Sequence, residues 1–341
     1  MFKKLKIIFF LALSVFISNA CAQENIEPIQ MNLTHFLPRT SVVHSKFIKP
    51  WAEKIEKETN GKLKIKIYPQ MSLGGVPSDL VEQVRSGAVD AAWTVVSYTP
   101  ELFPKSEVFE LPFISPTKKS TILNQAINEY YAIYLKDEFK DFYVVLLHAH
   151  APSSLHLNKI KPKTLQELNG LKIRIPNRVM SKFITDIGAV PVSMPITDVY
   201  ESLTYGMING AMMPFEVAVP LRLHEQTDYH IIAPFYTTVF AFLINKDFYN
   251  KLPTDIKDVI EKNSKSHIAY GVGEIWDRYE EEMMLKVKVE GGEFYNLSQE
   301  EIDKATIIAD KISEEWKNKN GQEHFEKAKE LLTKYMNMQK D

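Results

Sequence analysis

The chain has 341 residues, 45% apolar and 25% charged, with 41 Lys and Arg against 43 Asp and Glu for a formal net charge of −2. These values exclude a disordered, collagenous or coiled-coil architecture and leave no electrostatic footprint for nucleic acid. The length suits roughly two domains, and a lone cysteine, Cys21, excludes a disulfide framework or a cysteine-based metal site.

The chain opens with a basic n-region at Lys3, Lys4 and Lys6, followed by the apolar run Ile7–Ile17. Ala20, Cys21 and Ala22 then offer a small-x-small cleavage pattern, so residues 1–22 read as a secretory signal peptide. The run is shorter than the ~20 apolar residues a spanning helix needs. Lipidation of Cys21 is the alternative, although Ser18 stands where lipoprotein signals usually carry Leu. Cleavage after Ala22 leaves no thiol, which suits an oxidising compartment. The expectation is an exported, periplasmic protein.

From there the chain alternates strand-like and helix-like pieces, the pattern of an α/β protein. Ile29–Thr34 is predicted as a strand. Val42–Thr59 is predicted as a helix, with Val43, Phe47, Trp51 and Ile55 on one face and Asn60 and Gly61 as its stop. Leu63, Ile65 and Ile67 alternate with Lys64 and Lys66 in a second strand. Leu80, Val81 and Val84 mark a short helix ending at Gly87. Val89–Val96 and Phe142–Ala149 read as buried strands, separated by a Tyr-rich helix from about Lys118 to Leu135.

A second series begins at Thr164, whose spacing to Glu167 predicts a capping box. Leu171–Ile175 is a predicted strand, Met180, Phe183, Ile184 and Ile187 a helix stopping at Gly188, Val199–Tyr205 a helix and Ile208–Met213 a strand. Gly61–Pro69 can be laid over Gly170–Pro176, and Gly87–Trp93 over Gly206–Met212, in the same order. Two lobes of similar topology are therefore expected, with a ligand cleft at the carboxyl ends of their strands. Phe235–Ile244 reads as a long strand returning to the first sheet. A helical stretch from Thr254 to about Lys288, bent at Gly271 and Gly273, approaches ~50 Å and can run along both lobes. Ser298 caps a further helix, and an amphipathic helix ends the chain. The expected division places residues 23–149 with 237–278 in lobe I and 150–236 with 279–341 in lobe II.

The stretches His35–Pro38, Pro50–Gly61, Leu73–Gly75, Gly87–Asp90, Phe109–Phe113, Leu168–Pro176 and Tyr200–Leu203 occur in an order that resembles the solute-binding proteins of tripartite ATP-independent periplasmic (TRAP) transporters, of the DctP type. The resemblance covers nearly the whole mature chain. It implies a two-lobed periplasmic-binding-protein fold, closing on its ligand like a flytrap, with a long lobe-spanning helix. It also implies delivery of an organic anion to a membrane permease driven by an ion gradient, with no cofactor. The family's carboxylate-binding arginine matches Arg174, and a planar guanidinium suits that role because it donates two parallel hydrogen bonds. One departure is Met213, where many members carry an Asn that also bonds the carboxylate. Alternation with Lys172 on a strand surface is the competing reading of Arg174.

Further candidate pocket residues are Trp93, Phe36, His156, Met194, Met213, Phe215, Glu216 and Tyr236. Together with Met212, they make a largely apolar cleft suited to a monocarboxylate with an aromatic or branched body, such as a 2-oxo or hydroxy acid. A small dicarboxylate is the runner-up and needs a second cation, for which Arg178 and Lys46 are the candidates. Two other classes stay open on the residues alone. A periplasmic sensor could use the same cleft, and a metal-dependent hydrolase could use His148 and His150. No nucleophile elbow, P-loop or Gly-x-Gly-x-x-Gly occurs. Ser115 and Lys118 match Ser-x-x-Lys without its companion motifs. The expectation is a binding protein with no catalytic residues and no metal.

Overall fold

The computed structural model describes residues 27–115 and 117–339, so the expectations at residues 1–22 and at Cys21 lie outside the described residues. Its strands are β1 (Ile29–His35), β2 (Leu63–Tyr68), β3 (Ala91–Val95), β4 (Phe142–Ala149), β5 (Ser154–Leu157), β6 (Lys172–Ile175), β7 (Val190–Ser193), β8 (Gly210–Met213), β9 (Tyr229–Ile232), β10 (Val239–Asn245) and β11 (Glu293–Asn296). They form two sheets, ordered β2-β1-β3-β10-β4 and β11-β9-β5-β8-β6-β7.

In the first sheet, β2 lies at the edge and buries Leu63 and Ile65 while Lys64 and Lys66 face solvent, as period-2 alternation requires. β3, β4 and β10 are buried at every position, the reading of continuous apolar runs covered on both faces. β10 enters antiparallel to both β3 and β4. It starts at Val239 rather than Phe235, because the preceding carbonyls are taken up elsewhere. That of Phe235 accepts from the Phe113 N–H (3.0 Å) and that of Tyr236 from the Ser153 N–H (2.8 Å).

The second sheet repeats the first, but not in the expected register. Reading β7-β6-β8-β5-β9 against β2-β1-β3-β10-β4, β8 takes the place of β3, as the overlay of Gly87–Trp93 on Gly206–Met212 requires. β6, however, takes the place of β1 and not of β2, and β7 occupies the edge. The Gly61–Pro69 and Gly170–Pro176 segments resemble each other because both follow a glycine turn and alternate, a local likeness that carries no information about sheet position.

Three helical expectations change. The Thr164 segment makes only the 3-10 turn Gln166–Leu168, in which Thr164 Oγ1 accepts from the Glu167 N–H and the Glu167 carboxylate accepts from the Lys163 N–H. The first long helix, Lys49–Glu58, is preceded by a π-helical turn at Val43–Ile48, and the Tyr-rich helix Ser120–Tyr130 ends in another at Tyr131–Leu135. The stretch expected to bend at glycines instead breaks at Asn263–Lys265, where Lys265 has φ +54°. Beyond the break, Ser266–Val289 runs unbroken through Gly271 and Gly273, 24 residues or about 36 Å. It packs on Ser120–Tyr130 and β4 at one end and on the short helix Phe215–Ala218 of the second lobe at the other. Among the described residues no helix is long and apolar enough to cross a membrane.

Candidate functional site

Between the two sheets lies a cavity lined by side chains from both. Arg174 reaches it from the third position of β6, where it pairs with Val192 and Ala211. It shares a strand face with Lys172, but that face is covered further along: Lys172 is exposed and Arg174 is 2% exposed. Its Nε donates to the Met194 carbonyl (3.0 Å) and Nη1 to the Met212 carbonyl (3.1 Å). No carboxylate pairs with it among the described residues, and it is the only Lys or Arg lining the cavity there. Burial beside neutral carbonyls and the Tyr98 hydroxyl leaves the guanidinium charge without an opposite charge among the described residues.

Two tyrosines frame this end. Tyr98, whose hydroxyl accepts from the Ile196 N–H (3.2 Å), and Tyr236, which donates to the Met212 carbonyl (3.0 Å), both line the cavity. Burial pushes the Tyr236 phenol up to about 12 and raises that of Tyr98, partly opposed in each case by the Arg174 charge. The adjoining wall is aromatic. Trp93 of β3 is stacked between Phe36 (5.3 Å between centroids) and Phe240 (4.6 Å), and all three line the cavity. The Trp93 indole N–H donates to His148 Nε2 (2.8 Å), which fixes the ring plane.

Arg174, Phe36, Trp93, Met213, Glu216 and Tyr236 are thus brought to one cavity, whereas His156, Met194 and Phe215 are not. Met194 contributes its carbonyl to Arg174 and turns its sulfur to Ser202. His156 lies inside the second lobe, its Nδ1 2.9 Å from that of His230 and its Nε2 donating to the Met213 carbonyl. Phe215 packs there too, stacked on Phe294 at 5.4 Å. Of the cations offered for a second carboxylate, Arg178 is engaged by Glu107 (2.8 Å), and Lys46 borders a separate hollow beside Arg278 and Glu282.

His148 and His150 do not build a metal site. His148 Nε2 is an acceptor for Trp93, and no group of three His, Cys, Asp or Glu able to hold a metal occurs among the described residues. His150 lines the cavity, and burial drives its imidazole down to about 4. Sequence reasoning missed Tyr98, Thr238, Phe240 and Trp276, which also line the cavity. The apolar run from Phe235 contained a signal for Phe240; nothing local marked the other three.

Two carboxyls complete the electrostatics. Glu216 lines the cavity, and burial with the nearby Glu280 charge pushes it up to about 8. Glu280 itself, raised to about 7 by burial, accepts from the N–H groups of Phe215 (3.0 Å) and Glu216 (2.7 Å), the free donors that open a helical turn.

A family model described as bacterial extracellular solute-binding protein, family 7, matches residues 33–320. The chain belongs to this family. It is similar to a TRAP solute-binding protein of an unidentified marine microbe, specific for aromatic acid ligands and crystallised with meta-hydroxyphenylacetate. The two are 35% identical with a TM-score of 0.87, covering 90% of this chain and 99% of the other. A TRAP solute-binding protein of Rhodoferax ferrireducens, holding copurified benzoate, is 30% identical with a TM-score of 0.87, covering 91% of this chain and 99% of its own. The ectoine/5-hydroxyectoine-binding periplasmic protein UehA of Ruegeria pomeroyi is 26% identical over 215 residues, 61% of this chain, and the match spans 62% of that relative's length. This family 7 protein is a two-lobed TRAP-type solute-binding protein and not an enzyme.

The buried ionisable groups give this solute-binding protein a defined pH optimum for stability. Glu110, Glu216 and Glu280 are raised from 4.5 to about 8, 8 and 7 by burial. As pH rises from 4.5 toward 8, the unfolded chain releases protons that the folded one keeps, and their stability contribution is lost. His35 and His148 are lowered from 6.5 to about 3, His150 and His230 to about 4, and His156 well below 6.5, again by burial. Below 6.5 the unfolded chain takes up protons that these imidazoles refuse, and stability falls with pH. Among these groups the five histidines outweigh the three carboxyls below 6.5, and the carboxyls act above it. The melting temperature is therefore expected to peak near about pH 6.5, and Glu110→Gln to flatten the alkaline side. A scanning calorimetry series that still rises at pH 8 would show these carboxyls ionised in the folded protein.

Proposed function

We propose that this protein captures an aromatic or branched monocarboxylate in the periplasm and hands it to a TRAP permease. The observation that carries the reading is Arg174, a buried guanidinium in a cavity with no second Lys or Arg among the described residues. One carboxylate satisfies it through paired charge-assisted hydrogen bonds. A second carboxylate would be desolvated beside Phe36, Trp93, Phe240 and Met213 with no second cation lining the cavity among the described residues. The aromatic-acid ligands of the two similar structures support the same class.

The lobes are expected to close over the acid, since the cavity wall takes Arg174 and Met213 from one sheet and Trp93 and Phe240 from the other. A ligand that binds only the folded state raises the melting temperature by mass action. Thermal-shift titrations should therefore show phenylacetate and benzoate stabilising the protein at lower concentration than succinate or malate. Tighter binding of the dicarboxylates would overturn the monocarboxylate reading.

A further inference from the structure

The cavity also holds polar groups that a carboxylate on a plain apolar body leaves unused. Trp276, on the Ser266–Val289 helix, lines the cavity and is 1% exposed, yet its indole N–H has no hydrogen-bond partner among the described residues. The neighbouring Glu216 carboxyl lines the same cavity. Glu216 is held in place from behind, because Glu280 accepts from the N–H groups of both Phe215 and Glu216.

A buried donor without a partner is expensive, and native structures leave few of them. An indole N–H beside a carboxyl is one donor next to one acceptor. The group that satisfies both at once is a hydroxyl, which accepts from the first and donates to the second. An amine would meet the indole with a second donor, and a halogen or methyl would leave both groups unpaired. Burial and the Glu280 charge push this carboxyl up, and its carbonyl oxygen accepts whether or not it carries the proton.

We propose that Trp276 and Glu216 form a hydroxyl-reading subsite, so that the preferred ligand is a monocarboxylate carrying a hydroxyl on its body. The inference rests on the Arg174 reading of the carboxylate and adds the second contact point that orients the acid in the cleft. A site built to pair a hydroxyl discriminates strongly against the analogue that lacks it.

The test is isothermal titration of the mature protein with phenylacetate and with its 2-, 3- and 4-hydroxy derivatives, repeated on Glu216→Leu and Trp276→Phe. At least one hydroxylated isomer should bind the unaltered protein about tenfold or more tightly than phenylacetate. Each substitution should bring that ratio toward one. Equal or tighter binding of phenylacetate than of all three isomers by the unaltered protein would overturn the subsite while leaving the Arg174 reading intact. A ratio that survives both substitutions would do the same. Absence of binding across the whole series would overturn both. The comparison within the unaltered protein does not depend on how well either variant folds.

Discussion

Arg174→Ala should weaken binding of an aromatic monoacid by at least about 3 kcal/mol, roughly a hundredfold or more in Kd. The guanidinium is buried and its fixed contacts are two main-chain carbonyls, at 3.0 and 3.1 Å. Removing it takes away the one Lys or Arg lining the cavity among the described residues, and of the two nearby tyrosine hydroxyls that of Tyr236 is already committed to the Met212 carbonyl. Arg174→Lys should also bind poorly, because an ammonium cannot hold two carbonyls and a carboxylate in one plane. Titration calorimetry with phenylacetate decides the matter. Near-native affinity in both variants would move the carboxylate site elsewhere.

The second large effect concerns stability. Gly273 and Gly271 lie two residues apart on the lobe-spanning helix, yet Ala should have opposite consequences at them. A Cβ at Gly273 would sit 2.5 Å from Thr121 Cα and 2.6 Å from its nitrogen, backbone atoms that cannot swing aside. Gly273→Ala therefore forces the Ser120–Tyr130 helix outward and disturbs the carboxylate of Asp277, which caps that helix at Ser120 and Thr121. Overpacking of this kind costs about 3 kcal/mol. Gly271 faces open space, and a Cβ there would meet nothing within 4 Å. Gly271→Ala should leave stability unchanged or raise it by up to about 1 kcal/mol, the helix propensity difference. Urea unfolding of the two variants separates them, and similar midpoints would contradict the close helix contact.

Much of this protein is legible in its sequence because periodicity is a local property. The alternation at Leu63–Ile67, the buried run Phe142–Ala149 and the glycine stop after Ile187 each place an element within a residue or two. Arg174 stands out through the order of the family's motifs, since alternation with Lys172 says only that the two residues face opposite ways from their neighbour. Whether that face is a surface or a sealed cleft is decided by β7 and β8 on either side and by the opposite lobe.

The remainder depends on distance in space. Gly271 and Gly273 signal a bend, but the break falls at Lys265, and Gly273 answers to Thr121, far off in sequence. Phe215 and His156 have the composition of pocket residues, yet they turn into the second lobe's interior against Phe294 and His230. Trp276 carries no local mark of function, being one apolar position on a helix among several. The α/β alternation, the two-lobed class and the single arginine at its centre are written in the order of the residues. Which strand end, which helix face and which carboxyl share a cavity is settled only by folding, because those contacts join segments that no short-range pattern relates.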